Sequence, residues 1–182
     1  LQLGLSVDGS ALTGSAQSAD WGVVCYDLLG AIPDNIYRGQ IEMSWLRDTF
    51  SKPVNDSAEV ERIRYAQAYI LEMIGGYLMP DLSRNLIHLR WLLKLVDFKA
   101  TGEFSWGSAV LATLYREMYG AMPPTKAKNG GCLSLIQSWA QFRFPFLRSQ
   151  VDHPYTFPLI TSYTGIPTVL EDIQLLLYQR SE

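Results

Sequence analysis

Apolar side chains recur along most of the chain at spacings of three and four residues, the period that places them on one face of an α-helix. One such stripe consists of Val60, Ile63, Ile70 and Ile74. Capping residues and helix breakers divide this pattern into about seven helices. We expect them at 21–29, 40–50, 56–79, 86–100, 105–119 and 132–144, with a last one from Pro167 or Thr168.

The first two helices have clear signals in the sequence. Asp20 can cap the first helix, and Gly30 stands where a C-terminal glycine belongs. In the second helix, Ile41 and Trp45 are four residues apart and share a face. Pro53 prevents this helix from continuing.

The third helix carries a capping signal at its start and a glycine pair near its end. Asp56 and Glu59 have the D-x-x-E spacing of a capping box. Gly75 and Gly76 each cost a helix about 1 kcal/mol relative to alanine, and Pro80 terminates the segment. Such a pair indicates a close crossing with another element or an early stop.

The first residues follow a different pattern, with apolar side chains at every second position, as in a β-strand. These are Leu1, Leu3, Leu5 and Val7. Asp8 and Gly9 form a turn signal, after which 11–13 can return as a second short strand. The expected fold is mainly all-α: a single-domain helical bundle over residues 1–182 with irregular connecting loops and a short N-terminal β-hairpin.

Composition supports a folded domain. With 182 residues, 48% of them hydrophobic, and a net charge of −3, the chain can bury a core and is not a disordered polypeptide. Cys25 and Cys132 lie far apart in sequence and fit buried thiols of a reducing compartment. The longest apolar stretch, 65–80, contains Glu72 and is shorter than the roughly 20 residues that span a membrane.

Catalytic chemistry finds no support in the motifs. The chain contains no GxSxG, HExxH or GxxxxGK sequence, and we expect neither enzymatic activity nor a cofactor. His88 and His153 could join the two cysteines at a zinc ion, but the spacing matches no closed zinc site. Cys132 follows Gly130 and Gly131 at a helix start, which can activate a thiol. A glycine loop before a buried small residue explains the same pattern.

The charge is distributed unevenly along the chain. Residues 1–61 carry a net charge of −6, residues 84–148 a net charge of +6 and residues 149–182 a net charge of −3. If the fold gathers the basic residues of the middle segment on one surface, they can bind polyanions or an acidic partner. Otherwise they are ordinary solvated side chains around an aromatic core. These candidate binding residues are Arg84, Arg90, Lys94, Lys99, Arg116, Lys126, Lys128, Arg143 and Arg148.

Five sequence blocks stand out along the chain: LGLSVDGSALTGS (3–15), SWLRDTF (44–50), RYAQAYILEMIGGYLMPDLSRNLIHLRWL (64–92), FSWGSAVLATLYREM (104–118) and GGCLSLIQSWAQFRFP (130–145). These blocks resemble the plant mobile domain, the helical domain of the MAINTENANCE OF MERISTEMS family and of related transposon-encoded proteins. They occur in the family's order. The combination of YILxxIGGxLxPD, HLRxL and SWGSAVLAxLYR is long and specific.

This resemblance implies a nuclear plant protein without enzymatic activity, which acts in meristem maintenance, genome stability, transposable-element silencing and gene expression. It implies two kinds of partner, a phosphatase-like protein of the phosphoprotein phosphatase superfamily and other mobile-domain proteins. The alternative is a direct DNA-binding module that uses the basic segment 84–148. The older family label, "aminotransferase-like", has no support in these residues.

Within the matching blocks, some residues suit a structural role and others a binding role. Ser105 would cap the fifth helix and Trp139 would fill the core. Arg90, Arg116 and Arg143 carry guanidinium forks that suit carboxylates and phosphates, or they pair internally with Asp81, Asp97 or Glu117. We expect the following residues to specify the fold: Trp45, Gly75, Gly76, Pro80, Asp81, Trp106, Gly107, Gly130, Gly131 and Trp139.

Both ends of the chain look shorter than in the resembled family. Family domains usually have a further segment before the LGLxVDG block and continue past the final helix. This chain starts at Leu1, without a methionine. We therefore expect it to be most of one plant mobile domain, trimmed at both ends, within a longer protein.

Overall fold

The computed structural model describes residues 4–12, 20–51, 58–80, 82–83, 85–123, 125 and 129–144. The fold is mainly α, as predicted. The chain forms two compact units, one that extends to Cys132 and one that begins at Leu133. The expected irregular segment 145–167 and the helix expected from Thr168 lie outside the described residues.

Most helices in the described part of the chain are α-helices, but one segment is π-helical and another is a 3₁₀-helix. The α-helices are α1 (Trp21–Leu29), α2 (Met43–Thr49), α3 (Glu59–Met73), α4 (Phe98–Gly102), α5 (Trp106–Gly120) and, in the second unit, α6 (Leu133–Arg143). The first unit also has a π-helical turn (Ile74–Leu78), a 3₁₀-helix (Leu89–Lys94) and two short strands, β1 (Gln40–Glu42) and β2 (Leu86–His88).

The first helix, α1, begins and ends where its capping signals predict. The Asp20 carboxylate accepts hydrogen bonds from the backbone amides of Gly22 (2.9 Å) and Val23 (3.2 Å). Gly30 ends the helix with a φ of 75°. Glycine is favoured at that position because other side chains strain a left-handed backbone. The helix buries Cys25 completely.

The segments expected to form the second and fourth helices each begin as a strand. β1 and β2 pair antiparallel, with Ile41 opposite Ile87, and both of these side chains are buried. α2 follows β1 directly. The expectation of a helix from Gln40 is therefore correct only from Met43 onward.

The prediction of an α-helix over 86–100 is wrong. After β2 the chain enters a 3₁₀-helix, and Leu89, Leu92 and Leu95 in this segment are fully buried. Their spacing of three matches the three residues per turn of a 3₁₀-helix. The surrounding sequence is apolar at so many positions that periodicity alone does not distinguish a strand or 3₁₀ segment from an α-helix.

The start of α3 differs in part from the expectation. The helix begins at Glu59 after Ala58, which provides no side-chain cap, and Asp56 lies outside the described residues. Val60 and Ile63 of the expected apolar stripe are exposed. The buried residues of α3 are instead Gln67, Ala68 and Leu71.

The glycine pair after α3 lies in the π-helical turn and packs against two other elements. A Cβ placed on Gly75 would lie 2.7 Å from Cγ2 of Ile87, and one on Gly76 would lie 2.9 Å from Cε of Met43. Because real Cβ atoms do not approach other atoms so closely, the two glycines allow β2 and α2 to pack against this turn. The pair thus marks a close crossing, one of the two outcomes expected from the sequence.

The N-terminal β-hairpin does not form within residues 4–12. This segment instead bonds to the residues at the start of α5, where Ser10 forms a parallel β-bridge with Phe104. The backbone amide of Gly107 donates to the carbonyl oxygen of Ser6 at 2.8 Å. The strand-like N-terminal segment therefore bonds to a partner segment about 100 residues away in the sequence. Local signals such as a turn motif do not identify such a distant partner.

Ser105 occupies the N-cap of α5, but its hydroxyl does not cap the helix. The Oγ atom of Ser105 donates to the carbonyl oxygen of Val7 at 2.8 Å and lies 2.8 Å from Oγ of Ser108. Its side chain therefore holds the N-terminal segment. The expectation that Ser105 caps α5 through its side chain is wrong, because its Oγ atom bonds to Val7 and Ser108 and accepts no hydrogen bond from a backbone amide of the helix.

The core of the first unit draws on nearly all of its described elements. No disulfide joins Cys25 to Cys132 and both are buried, as expected. The buried apolar side chains include Cys25, Leu29, Ile41, Leu46, Leu71, Ile87, Leu92, Val110, Leu114 and Cys132.

Candidate functional site

Three of the predicted basic residues line one cavity in the first unit. Arg90 and Lys94 lie four residues apart on the 3₁₀-helix, and Arg116 lies on α5. The cavity has a volume of about 390 Å³. Its remaining lining is mostly apolar and consists of Leu12, Met79, Trp91, Ala109, Ala112 and Thr113. We call this feature the basic cavity.

Arg90 is the half-buried cation of the basic cavity that stacks on an indole. Its guanidinium carbon lies 4.6 Å from the ring centroid of Trp91. Its Nε atom is buried and makes no hydrogen bond. Burial lowers the pKa of Arg90 below its ordinary value, and the like charge of Arg116 lowers it further. Among the described residues, Arg90 thus has no acceptor for its Nε donor and no carboxylate beside its charge.

Lys94, a second cation of the basic cavity, lies close to an aromatic side chain. Its Nζ atom lies 5.6 Å from the ring centroid of Phe104. Phe104 in turn packs edge-on against Trp106, with ring centroids 6.3 Å apart, and the indole N–H of Trp106 donates to the carbonyl oxygen of Thr101 at 2.8 Å. These contacts position the lysine without neutralising it.

Arg116 has one weak acidic neighbour. Its Nη2 atom lies 3.5 Å from Oε1 of Glu117, and the arginine side chain is 68% exposed. An exposed pair of this length adds little stability. Among the described residues no carboxylate lies within ion-pair distance of Arg90 or Lys94. The basic cavity therefore holds three cations with one loose counter-charge.

The other predicted binding residues do not join this cavity in the described part of the chain. Lys99 is exposed on α4, and Arg143 belongs to α6 in the second unit. Arg84, Lys126, Lys128 and Arg148 lie outside the described residues. A binding role for the nine basic residues as one surface stays a prediction.

Several of the motif residues make tight structural contacts. Gly131 has a φ of 81°, and its amide donates to the carbonyl oxygen of Pro80 at 2.9 Å. A Cβ on Gly130 would lie 2.9 Å from Oε2 of Glu117. Trp45 packs edge-on against Phe50. Asp81 lies outside the described residues.

Trp139 does not fill a core within the described part of the second unit. Its side chain is 57% exposed and packs edge-on against Phe144, with ring centroids 6.1 Å apart. The expectation of a core position is therefore wrong. A large aromatic side chain in a helix suggests burial, but the mixed polarity of α6 does not specify which face is covered.

A second cavity, of about 730 Å³, lies beside α2 and the π-helical turn, and its lining includes Met43, Arg47, Gly76 and Asn85. Here the charge is balanced, since Nε of Arg47 lies 2.6 Å from Oε1 of Glu72. This hydrogen-bonded contact raises the pKa of Arg47. Local sequence patterns do not reveal this pair, because its members are 25 residues apart on different helices.

Cys132, the candidate nucleophile, and Cys25, a candidate zinc ligand, are both buried. Burial raises the pKa of the Cys25 thiol to about 11, so at neutral pH it is protonated and a poor nucleophile. Nε2 of His88 lies 2.9 Å from Nε2 of Gln40. Among the described residues no group of three or more His, Cys, Asp or Glu side chains is arranged to hold a metal ion, and His153 lies outside them.

Comparison with known proteins identifies the family. The sequence model of the plant mobile domain matches residues 1–176. The chain belongs to the plant mobile domain family. It is 30% identical over 171 residues to Protein MAINTENANCE OF MERISTEMS of Arabidopsis thaliana, and the aligned region covers 91% of this chain and 35% of that protein. It is 31% identical over 182 residues to Protein MAIN-LIKE 2 of the same plant, covering 95% of this chain and 27% of that protein.

A third relative of this plant mobile domain carries a different name. The chain is 39% identical over 140 residues to the Arabidopsis thaliana protein named Serine/threonine-protein phosphatase 7 long form homolog, covering 76% of this chain and 10% of that protein. The chain thus spans between about a tenth and a third of the curated relatives described here. No solved structure matches it. Among the described helices, none is long and apolar enough to cross a membrane.

Proposed function

We propose that this plant mobile domain is a non-enzymatic nuclear protein-interaction domain that acts in transposable-element silencing, gene-expression control, genome stability and meristem maintenance. The family membership and a relative named for meristem maintenance support the biological setting. The interaction role is supported by one structural observation above all, an exposed apolar stripe on α5.

The stripe consists of large apolar and aromatic side chains that are exposed to solvent. Their spacings of four, three and four residues place Leu111, Tyr115, Met118 and Met122 on one side of α5 and the turn that follows it. Tyr119 lies next to them and is 77% exposed. Tyrosine and methionine are enriched where proteins bind other proteins, so this stripe suits contact with a partner.

A second exposed set lies on α3 and the π-helical turn. Tyr69, Met73 and Tyr77 are four residues apart in turn, and all three are exposed. In the same segment Leu71 and Ile74 face the core. Exposed tyrosines on two separate helical segments support a domain that binds through its surface instead of transforming a small molecule.

The partner that we propose is a phosphatase-like protein of the phosphoprotein phosphatase superfamily, with other mobile-domain proteins as further partners. The proposal is supported by the relative named as a phosphatase homolog, in which a segment similar to this chain forms a tenth of the protein. Domains that are joined in one protein often act together when they occur on separate chains.

A binding assay with purified proteins tests this function. The chain would be titrated into a plant phosphatase-like protein, and the double variant Tyr115→Ser, Tyr119→Ser should weaken binding by about tenfold or more, since interface tyrosines are frequent hot spots. The matched control is Tyr26→Ser, Tyr37→Ser, which removes two equally exposed tyrosines elsewhere. Undiminished binding by the first variant, or no binding by the wild type, contradicts the proposal.

The nuclear and silencing roles need a test in plants. A fluorescent fusion of the full-length protein should accumulate in nuclei, and plants that lack the protein should express transposable elements that the wild type keeps silent. Transposon transcripts that stay at wild-type levels in these plants, or a fusion excluded from nuclei, contradict this part of the proposal.

Direct DNA binding is the competing function, and the convergence of Arg90, Lys94 and Arg116 is the observation that favours it. It predicts an affinity for duplex DNA that falls steeply as salt rises and that is lost in the variant Arg90→Ala, Lys94→Ala, Arg143→Ala. A concave site with apolar walls is less suited to a duplex, whose phosphates are spaced along an extended backbone. Salt-insensitive binding, or none, eliminates this alternative.

A further inference from the structure

We propose that the basic cavity binds the phosphate group of a phosphorylated serine or threonine on a partner protein. The inference rests on the proposed protein-interaction function and names the chemical group that one part of the surface recognises. The site is the cavity lined by Arg90, Lys94 and Arg116. Phosphate recognition by clustered arginines is a general physical solution, because each phosphate offers three strong acceptor oxygens.

The basic cavity carries an excess of positive charge. Three cations share one cavity, and the one acidic neighbour among the described residues is Glu117, which lies 3.5 Å from Arg116. Arg90 is half-buried and feels the like charge of the more exposed Arg116, and such repulsion disfavours folding. A dianion bound by these cations would offset the repulsion more than a singly charged carboxylate would, which favours phosphate as the ligand.

Arg90 also has an unused hydrogen-bond donor. Its Nε atom is buried and has no acceptor among the described residues, and a native structure rarely leaves such a group unsatisfied without a functional reason. The guanidinium carbon lies over the indole of Trp91, 4.6 Å from the ring centroid. Since stacking fixes its orientation before a ligand arrives, less conformational entropy is lost on binding.

The size and lining of the basic cavity suit a phosphorylated side chain. The cavity volume of about 390 Å³ is suited to one side chain with its phosphate. Leu12, Met79 and Ala109 supply apolar wall next to the cations, which suits the carbon atoms of a peptide. A duplex would need its charges met along several nucleotides, and Lys99, the nearest further cation in the sequence, is not part of the lining.

Two probes test the proposal on the full chain. The first is a library of fluorescent peptides with one central phosphoserine or phosphothreonine in varied sequence, compared by anisotropy with the same peptides unphosphorylated or with glutamate in that position. We expect phosphorylated peptides to bind about tenfold or more tightly than either comparison set, since charge-assisted bonds to a dianion are the strong ones. The second is inorganic phosphate, which should shift the indole N–H signal of Trp91 in the NMR spectrum.

Substitutions inside and outside the cavity test whether the phosphopeptide binds there. Arg90→Gln and Arg116→Gln should each reduce phosphopeptide affinity by about tenfold, because each removes a charged donor. Lys99→Gln removes an exposed lysine outside the cavity and should change affinity less than about twofold. Arg90→Lys keeps the charge without the fork and should fall between wild type and Arg90→Gln. Circular dichroism and thermal unfolding verify that each variant is folded.

The outcomes separate this inference from the broader function. Equal binding of phosphorylated and unphosphorylated peptides, equal losses in Lys99→Gln and Arg90→Gln, or a preference for random duplex DNA over every phosphopeptide overturns it. If the phosphatase-like protein still binds through Tyr115 and Tyr119 while phosphopeptides do not bind, the inference fails alone. If neither ligand binds, the protein-interaction function fails with it.

Discussion

The backbone amide of Gly107 donates a 2.8 Å hydrogen bond to the carbonyl oxygen of Ser6. This bond joins the LGLSVDGS block near the N-terminus to the FSWGS block at the start of α5. A Cβ on Gly107 would lie 2.9 Å from that same carbonyl oxygen and 2.9 Å from Cγ1 of Val7. Two separated motifs of the family are thus parts of one structural contact.

Replacing Gly107 with alanine should therefore destabilise the fold. Because the added methyl group meets backbone and not only a flexible side chain, we expect a loss of about 1–3 kcal/mol in the free energy of unfolding. Urea denaturation measures it. The matched control is Gly102→Ala, where a Cβ meets nothing within 4 Å and alanine should be neutral or stabilising by up to about 1 kcal/mol. Equal effects of the two substitutions contradict this account of the contact.

Gly75→Ala tests the close crossing between the π-helical turn and β2. The new Cβ would meet Ile87 at 2.7 Å, and we expect a loss of about 2–3 kcal/mol from overpacking. In the double variant Gly75→Ala, Ile87→Ala the two nearest obstructing atoms, Cγ2 and Cγ1 of Ile87, are removed, so the two single losses should sum to more than the measured total. A double-mutant cycle gives this coupling directly, and strict additivity would show that the two residues do not compete for space.

The buried thiol of Cys25 should make stability fall at high pH. Its pKa is raised from 9.0 to about 11 in the folded protein, so between these values the unfolded chain releases its proton first. The folded state then holds more protons than the unfolded state, and the free energy of unfolding decreases as pH rises through this window. We expect Cys25→Ala to unfold with a flatter pH dependence than wild type between pH 9 and 11. Parallel curves for the two proteins would show that burial does not shift this thiol.

Arg90 should contribute to ligand binding at some cost to stability. Methionine at this position keeps apolar contact with Trp91 while it removes the charge next to Arg116. In the absence of phosphate, we expect Arg90→Met to leave the free energy of unfolding unchanged or to raise it by up to about 1 kcal/mol. Thermal unfolding measures this effect, and added phosphate should stabilise only the wild type. A large loss of stability in Arg90→Met would mean that the arginine serves the fold.

The sequence predicted those elements whose signals are local. α1 is bounded by Asp20 and Gly30, and both caps act within three or four residues of the helix ends. α5 and α6 likewise follow from periodicity between glycine and proline breaks. The glycine pair at Gly75 indicated a close crossing or an early stop, because a glycine pair inside a helical pattern needs a reason, and the structure shows the crossing.

The elements that the sequence did not predict depend on distant partners. β2 forms because Ile87 pairs with Ile41, and the N-terminal segment bonds to residues near Gly107 instead of to itself. The uneven charge pointed to a basic segment. Which of its members converge could not be predicted, because Arg90 and Arg116 lie on separate elements whose packing sets the cavity.

The central claim is that this plant mobile domain binds a phosphatase-like protein through exposed side chains. Isothermal titration of that purified protein with wild-type chain, with Tyr115→Ser, Tyr119→Ser and with Tyr26→Ser, Tyr37→Ser tests it most directly. The account predicts saturable binding by the wild type and the control, and a loss of about tenfold or more in affinity for the α5 variant. No binding by the wild type, or equal affinity for all three proteins, would contradict it.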